Sequence, residues 1–166
     1  MIENLPVDIS SLPQMETLEY QKHPKRIITF FLINRTIGAL FLLIPVIILY
    51  FTNNPFIAAI GFGLWILYLI LVIINIFKEY SRRGYALRQH DIVYRKGWIF
   101  FSSIVIPFGR IQHTELSEGP LNRMFKLTSL KIYTAGGSTS DLTIPGLEHE
   151  EAQRLRQFIT EKSANA

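Results

Sequence analysis

The sequence contains no cysteine, which excludes disulfide bonds, thiol nucleophiles and metal sites built from thiolate ligands. It also lacks a phosphate-binding P-loop and the GxSxG motif of serine hydrolases. The histidines His23, His90, His113 and His149 have no metal-type spacing, and we interpret His113 with Glu115 as a surface polar pair rather than a two-ligand metal site. We therefore predict no enzyme activity, no catalytic residue, no bound metal and no cofactor.

Charged residues are almost absent from two apolar runs, Ile27–Phe51 and Phe56–Phe77, which only four residues separate. The second run has 22 residues and no charge. As a helix it would span about 33 Å, enough for a hydrocarbon core of about 30 Å. The short connection predicts an antiparallel transmembrane hairpin. The chain would then comprise a loosely ordered, mostly extended N-terminal cytoplasmic arm (1–26), the hairpin (27–77) and a cytoplasmic domain (78–166).

The first apolar run is interrupted by Asn34 and Arg35. An arginine at the middle of a bilayer costs about 2.5–3.5 kcal/mol on insertion scales. We expect Arg35 to lie just inside the cytoplasmic interface and to extend its guanidinium outward. Residues Ile27–Ile33 would then lie at the interface or continue the helix into the cytoplasm.

Basic residues flank the predicted spans on one side of the membrane only. The predicted membrane-edge anchors are Lys25, Arg26, Arg35, Lys78, Arg82 and Arg83. The link Thr52–Pro55 carries no charge, so the positive-inside rule predicts that both termini are cytoplasmic. The first 20 residues contain four acids and no basic run before an apolar core. We therefore expect no cleavable signal peptide, and insertion directed by the first span.

From Gly84 onward apolar residues alternate with polar ones, which is typical of half-buried strands. The predicted strands are 84–89, 92–98, 100–107, 110–117, 128–134 and 140–144, with a helical turn at 121–125. Turn-forming pairs such as Gly136-Gly137 and Pro145-Gly146 separate the strands. Apolar residues at helical spacing after Gly146 predict an amphipathic helix of about 15 residues. The fold class is α+β: a two-helix transmembrane hairpin followed by a small antiparallel β-barrel with a C-terminal capping helix.

The segment Trp98-Ile99-Phe100-Phe101 is the best candidate for a binding surface. Four consecutive large apolar residues in a strand cannot all face the core, because successive side chains point to opposite faces. Some of them would contact the bilayer, the hairpin or another subunit, unless the domain's own helix and loops cover both faces. The candidate partner or membrane contacts are Trp98, Phe100, Phe101, Arg95, Lys96, Arg110, Arg123 and Lys126.

The basic members of this set would bind lipid headgroups or an acidic partner, unless they are simply solvated. The chain from Gly84 onward carries ten basic and eight acidic residues. It is therefore too weakly basic to predict a nucleic-acid partner. The sequence also gives no indication of a small-molecule substrate.

Several short motifs occur together within Ile106–Leu147. They are Ile106-Pro107, Arg110-Ile111-Gln112, Gly119-Pro120-Leu121, Thr134-Ala135-Gly136-Gly137 and Ile144-Pro145-Gly146-Leu147. As a set they resemble the bacterial pleckstrin-homology-like (PH-like) domain family, in its membrane-anchored members with two spans before the domain. The resemblance covers roughly residues 16–163. It implies a PH-like barrel with a capping helix, a location in the bacterial cell membrane and no shared catalytic residues.

The resemblance also implies partners, since members of this family often occur beside a larger relative with several such domains. We therefore expect contact with the bilayer, and assembly with a larger membrane protein of the same family or self-association. Phosphoinositide binding of the PH type is not expected, because the His90-Asp91 turn is too short to form the phosphate-binding loop.

Two functions from different classes fit the sequence. The leading hypothesis is a non-enzymatic, membrane-anchored PH-like module that acts in the assembly of a membrane protein complex, in contact with membrane lipids, or in both. The alternative is a small subunit of a transport, export or envelope-stress-resistance complex. In that case Asn34, Arg35 and Asn75 would line a polar path.

Overall fold

A computed structural model of the chain describes residues 18–51, 55–135 and 141–165. Most of the predicted arm (1–17), the link (52–54), the Gly136-Gly137 turn and residue 140 of the last predicted strand lie outside the described residues. The described part of the chain forms a helical hairpin followed by a domain of two sheets and a C-terminal helix.

The two apolar runs form the long helices α1 (Arg26–Tyr50) and α2 (Pro55–Arg82). Both are long and apolar enough to cross a membrane, with mean hydropathies of 2.2 and 2.8. Gly61 of α2 leaves room for side chains of α1. Further along the pair, the Trp65 indole Nε1 donates a hydrogen bond to the Ala39 carbonyl oxygen at 3.0 Å. These contacts hold the hairpin together, while most of its other apolar side chains are exposed.

The domain contains two antiparallel sheets of three strands each within the described residues. The first has the order β1 (Gly84–Leu87), β2 (Asp91–Lys96) and β3 (Ser102–Pro107). The second has the order β4 (Ile111–Ser117), β5 (Leu127–Thr134) and β6 (Leu142–Glu148). The connecting elements are a 3₁₀ turn (Phe108–Arg110) and a short helix α3 (Pro120–Met124), and the domain ends with helix α4 (His149–Ala164). Each predicted strand overlaps one observed strand.

One hydrophobic core joins the two sheets and α4. The sheets contribute the buried residues Tyr85, Ile92, Tyr94, Ile106, Leu130, Ile132, Leu142 and Ile144. From α4, Ala152, Leu155 and Ile159 recur three or four residues apart and cover the core. Phe158 adds an edge-on contact with Phe108 of the 3₁₀ turn. The helix therefore caps the sheets, as the sequence predicted.

The predicted barrel is confirmed only in part, because the two sheets pack together but share no strand pairing among the described residues, so the barrel is not closed. The ladder ends where β3 reaches Pro107, which has no backbone N–H to donate. The chain then turns through Phe108–Arg110 before β4 begins. The domain is therefore built from two separate sheets packed around one core.

The predicted strands at 92–98 and 100–107 extend too far towards each other. β2 ends at Lys96 and β3 begins at Ser102, so Trp98–Phe101 forms a loop rather than part of a strand. Gly97 has a φ of +88°, a left-handed conformation that interrupts a strand and favours glycine.

The last predicted strand, 140–144, ends too early. β6 continues through Pro145 and Gly146 to Glu148 instead of turning there. These two residues lie at an irregularity in the β5–β6 register, a position at which a strand tolerates proline. The Pro-Gly pair is therefore a feature within the sheet and not a turn between elements.

Candidate functional site at the hairpin–domain junction

Both long helices extend beyond the length needed to cross a bilayer. From Pro55 to Asn75, α2 rises about 30 Å, which matches the thickness of a hydrocarbon core. The rest of α2 continues past that boundary to the domain. α1 begins at Arg26, nine residues before Arg35. Residues Ile27–Ile33 therefore continue the helix towards the domain, which is one of the two predicted arrangements.

The first turn of α1 docks on the domain at Gly146. Ile27 is fully buried, and its side chain fills the space that a Cβ at Gly146 would occupy. Gly146 has a φ of +73°, which also favours glycine. Arg26 forms an ion pair with Glu148 at 2.5 Å, but both side chains are half exposed, so this pair contributes little. The close approach of Ile27 to Gly146 is what fixes α1 on the domain.

A buried ion pair fixes the end of α2. Arg83, whose side chain is only 9% exposed, pairs with Glu79 and donates a hydrogen bond to the Tyr94 hydroxyl at 2.9 Å. Its guanidinium also lies over the Phe31 ring, 4.9 Å from the centroid. The prediction that Arg83 is a membrane-edge anchor is therefore corrected, because its charge is used inside the junction. The other predicted anchors, Lys25, Arg26, Arg35, Lys78 and Arg82, are exposed.

The end of the N-terminal arm packs on the domain, so the expected loose terminus is wrong for these residues. Gln21 pairs with Tyr85 through two backbone hydrogen bonds. His23 is buried, and the Tyr80 hydroxyl donates to its backbone carbonyl oxygen at 3.0 Å. Burial and the nearby Arg83 charge lower the pKa of His23 to about 4, so its ring is neutral. The arm, both helices and the first sheet thus meet at one buried junction.

The predicted binding segment Trp98–Phe101 forms the tip of the loop between β2 and β3. Residues Ile99–Phe101 are 65%, 90% and 60% exposed, so the domain's own helix and loops leave them uncovered. Ile99 lies beside the hairpin, where it lines a small cavity together with Arg35 and Asn75. The exposed tip therefore lies at the level of Arg35 and Asn75 on the hairpin.

A second exposed element lies next to α1. Phe30 of α1 contacts Phe125 edge-on, with centroids 6.3 Å apart, which holds α3 near the hairpin. Met124 is 75% exposed, and Arg123 and Lys126 beside it are exposed as well. We call the two elements together the hairpin-side surface, which comprises Lys96, Ile99, Phe100, Phe101, Arg123, Met124 and Lys126.

Two predicted basic contacts do not belong to this surface. Arg95 lies over the Tyr20 ring, 3.7 Å from the centroid, so it is occupied by the arm. The Arg110 carbonyl oxygen accepts a hydrogen bond from Ala135, just past the end of β5. β5 begins at Leu127, shortly after α3, and the end of β5 near Arg110 lies about 23 Å further along the strand. Arg110 therefore lies away from the hairpin-side surface, and contact of Arg95 or Arg110 with a partner stays a prediction.

Two polar clusters lie away from the junction, one around His113 and one in which Thr128, Glu118 and His149 contact one another at 2.6–3.3 Å. No group of three or more His, Cys, Asp or Glu side chains in the described ranges is placed to hold a metal ion. His113 stacks on Tyr133, with centroids 4.2 Å apart. Hydrogen bonds from Tyr133 and Lys131 hold the pKa of Glu115 below its usual value. The absence of enzyme activity stays a prediction.

Comparisons with known proteins identify a family that includes both the hairpin and the domain. The family described as Bacterial PH domain matches residues 27–163, hairpin included. The UPF0699 transmembrane protein YdbS of Bacillus subtilis (strain 168) is 33% identical over 129 residues, which are 75% of this chain and 79% of that protein. The UPF0699 transmembrane protein YdbT of the same organism is 28% identical over 128 residues, which are 74% of this chain but only 25% of that protein.

One solved structure also resembles the chain. It is a DUF1696 family protein with a pleckstrin-homology domain from Shewanella loihica PV-4, with a TM-score of 0.40 and 15% identity over 51% of this chain and 73% of that one. The family match over both helices and the domain confirms the resemblance that the sequence motifs indicated. This chain is therefore a membrane protein with two candidate spans that belongs to the bacterial PH domain family.

Proposed function

We propose that the protein is a non-enzymatic assembly module of the bacterial cell membrane. The hairpin anchors the PH domain at the cytoplasmic face, the hairpin-side surface rests on the bilayer, and the remaining surface of the domain binds a larger membrane protein of the same family. The observation that carries the proposal is the exposed apolar tip Ile99–Phe101, which lies beside the hairpin at the level of Arg35 and Asn75.

Contact with the bilayer removes an energetic cost that the exposed tip would otherwise carry. Burying a Phe side chain contributes roughly 1.5–3 kcal/mol, and Phe100 is 90% exposed in the protein alone. Lys96, Arg123 and Lys126 flank the apolar residues, and each basic residue near an anionic surface gains about 1 kcal/mol. An apolar tip with a basic border suits the cytoplasmic leaflet, in agreement with the orientation predicted from the flanking charges.

Assembly with a larger relative is supported by the comparisons. YdbS matches this chain over most of its length, whereas the chain spans only a quarter of YdbT, and both relatives come from one organism. A short and a long relative of this chain are therefore found in one organism. Anchoring both in one membrane raises their effective concentration, so that weak contacts between the domains suffice for assembly.

A transport role is less favoured. Arg35 and Asn75 lie together near the domain end of the hairpin. Beyond them, the described residues 36–51 and 55–74 carry no charged or amide side chain. A polar path across the whole membrane would therefore need residues from another subunit.

We expect a tagged full-length chain, extracted from its own membrane in a mild detergent, to retain a larger bacterial PH domain protein in a fixed ratio. Quantitative mass spectrometry of the captured material measures that ratio. The matched variant Phe100→Ser/Phe101→Ser should retain the same partner, because the tip contacts lipid and not protein. Capture of neither a larger relative nor a second copy would contradict the assembly role. A folded variant that lost its partner would contradict the assignment of the tip to the bilayer.

A further inference from the structure

A polar cavity of about 470 Å³ lies between the hairpin and the loop that joins β2 to β3. Its lining includes Arg35 and Asn75 from the helices and Lys96 and Trp98 from the domain. The cavity exists because the loop is held against the hairpin by the buried junction around Arg83. It lies at the depth where α2 leaves the hydrocarbon core, which is where the phosphates of a bilayer begin.

The charges in this cavity favour an anion. Arg35 and Lys96 have no acidic partner within 4 Å in the described part of the chain. The acid that lines the cavity, Glu79, is already paired with Arg83. Arg83 also lines the cavity, and its buried Nε has no hydrogen-bond partner among the described residues. Two unpaired cations, Arg35 and Lys96, therefore line a space whose acidic side chain is already paired.

A second, smaller cavity of about 160 Å³ continues the first along the hairpin. It shares Arg35, Asn75 and Ile99 with the polar cavity, and its further lining is Tyr68, Leu71 and Val72 of α2. The combined space is therefore basic at the domain end and mostly apolar on the membrane side. A molecule with an anionic head and a hydrocarbon tail matches this polarity, whereas a free phosphate would fill only the basic end.

We propose that this cleft binds an anionic glycerophospholipid of the cytoplasmic leaflet, with its phosphate between Arg35 and Lys96 and the start of an acyl chain beside Ile99 and Leu71. Charge-assisted hydrogen bonds from an arginine and a lysine are the contacts that phosphate groups prefer. The inference rests on the proposed function insofar as the domain must lie on the membrane. It goes further by assigning a discrete lipid site, in which Lys96 of the hairpin-side surface acts together with Arg35 of α1.

The test compares full-length chains reconstituted in nanodiscs of phosphatidylglycerol and phosphatidylcholine, released into mild detergent and analysed by native mass spectrometry. We expect the wild-type chain to retain one phosphatidylglycerol molecule in preference to phosphatidylcholine. The variant Arg35→Gln/Lys96→Gln should lower the retained fraction by about tenfold or more, since it removes two charge-assisted hydrogen bonds. The matched control, Lys78→Gln/Arg82→Gln, removes two exposed charges of the same membrane edge that do not line the cleft, and should retain the lipid.

Equal retention of the two lipids by the wild-type chain would overturn the proposal. This result needs no variant, so it holds even if the cleft variant fails to fold. An equal loss in the control and the cleft variant would also overturn it, because the lipid would then be held by diffuse surface charge. Inorganic phosphate or glycerol 3-phosphate that raised the melting temperature as much as phosphatidylglycerol would assign the site to a soluble phosphate instead. Each of these three results would refute the lipid site. If a larger partner still co-purified with the chain, the assembly role would be unaffected.

Discussion

Replacing Gly146 by alanine is expected to detach α1 from the domain and to lower the melting temperature of the full-length protein in mild detergent by about 10 °C. The added Cβ would lie 2.5 Å from Ile27 Cγ1 and closer still to Cδ1, so the helix or the strand must shift. Overpacking of this kind costs about 1–3 kcal/mol. The left-handed backbone at Gly146 adds about 1–2 kcal/mol for a residue with a Cβ. Each kcal/mol corresponds to roughly 2–4 °C in a chain of this size.

Two further variants make this prediction specific. Gly119→Ala should leave the melting temperature almost unchanged, because Gly119 has an ordinary φ of −74° and no atom lies within 4 Å of an added Cβ. Combining Gly146→Ala with Ile27→Ala removes the two closest atoms. The double variant should therefore be less destabilised than the sum of the single variants. Strictly additive losses would contradict a direct contact between the two positions.

Replacing Arg83 by methionine is expected to destabilise the protein by about 3 kcal/mol, the lower end of the usual cost of leaving one partner of a buried ion pair unpaired. The side chain of Arg83 is 9% exposed, whereas Glu79 is 22% exposed and lines a cavity, so water compensates for part of the loss. The Tyr94 hydroxyl would lose its hydrogen-bond donor in the same step. Thermal unfolding of the full-length chain in mild detergent measures the effect.

The neighbouring residue provides the control for this second prediction. Arg82→Met removes the exposed basic residue that ends α2, next to Arg83, and should change the stability by no more than about 0.5 kcal/mol. Glu79→Met combined with Arg83→Met removes both charges and should recover most of the loss, because no unpaired charge then remains buried. Similar losses for Arg82→Met and Arg83→Met would mean that the two residues share one role at the membrane edge.

The parts of the fold that depend on local pattern could be predicted from the sequence. The run after Pro55 predicts a helix long enough to span a membrane, because it is long, apolar and free of charge up to Phe77. Alternation located all six strands of the described domain, and helical spacing located α4. The end of β2 was missed, although Gly97 before four large apolar residues was the available signal.

The junction could not be predicted, because its roles arise from contacts between distant parts of the chain. Pro145-Gly146 has the composition of a turn, and only the approach of Ile27 explains why a glycine stands inside a strand. Arg83 has the sequence position of a membrane anchor, and its burial depends on Tyr94 in the next sheet. The arm shows no periodicity, and its described end, residues 18–25, contributes single residues such as His23 to the junction.

The placement of the loop between β2 and β3 is also a tertiary result. The sequence identified Trp98–Phe101 as a surface in need of a partner, but it gave the wrong secondary structure and no position relative to the membrane. The structure brings Ile99 next to Arg35 and Asn75, which come from two different helices. This proximity supports both the proposed bilayer contact and the proposed lipid cleft, because it sets the loop beside the polar residues near the domain end of the hairpin.

The central claim is that the PH domain is held on the bilayer through this loop, and spin labelling in nanodiscs tests it most directly. The chain has no cysteine, so Phe100→Cys provides a single labelling site, and Glu161→Cys on an exposed face of α4 provides the control. We expect the label at position 100 to be accessible to dissolved oxygen and protected from a water-soluble nickel reagent, and the label at position 161 to behave in the opposite way. Equal accessibility of both labels to the nickel reagent would contradict the account.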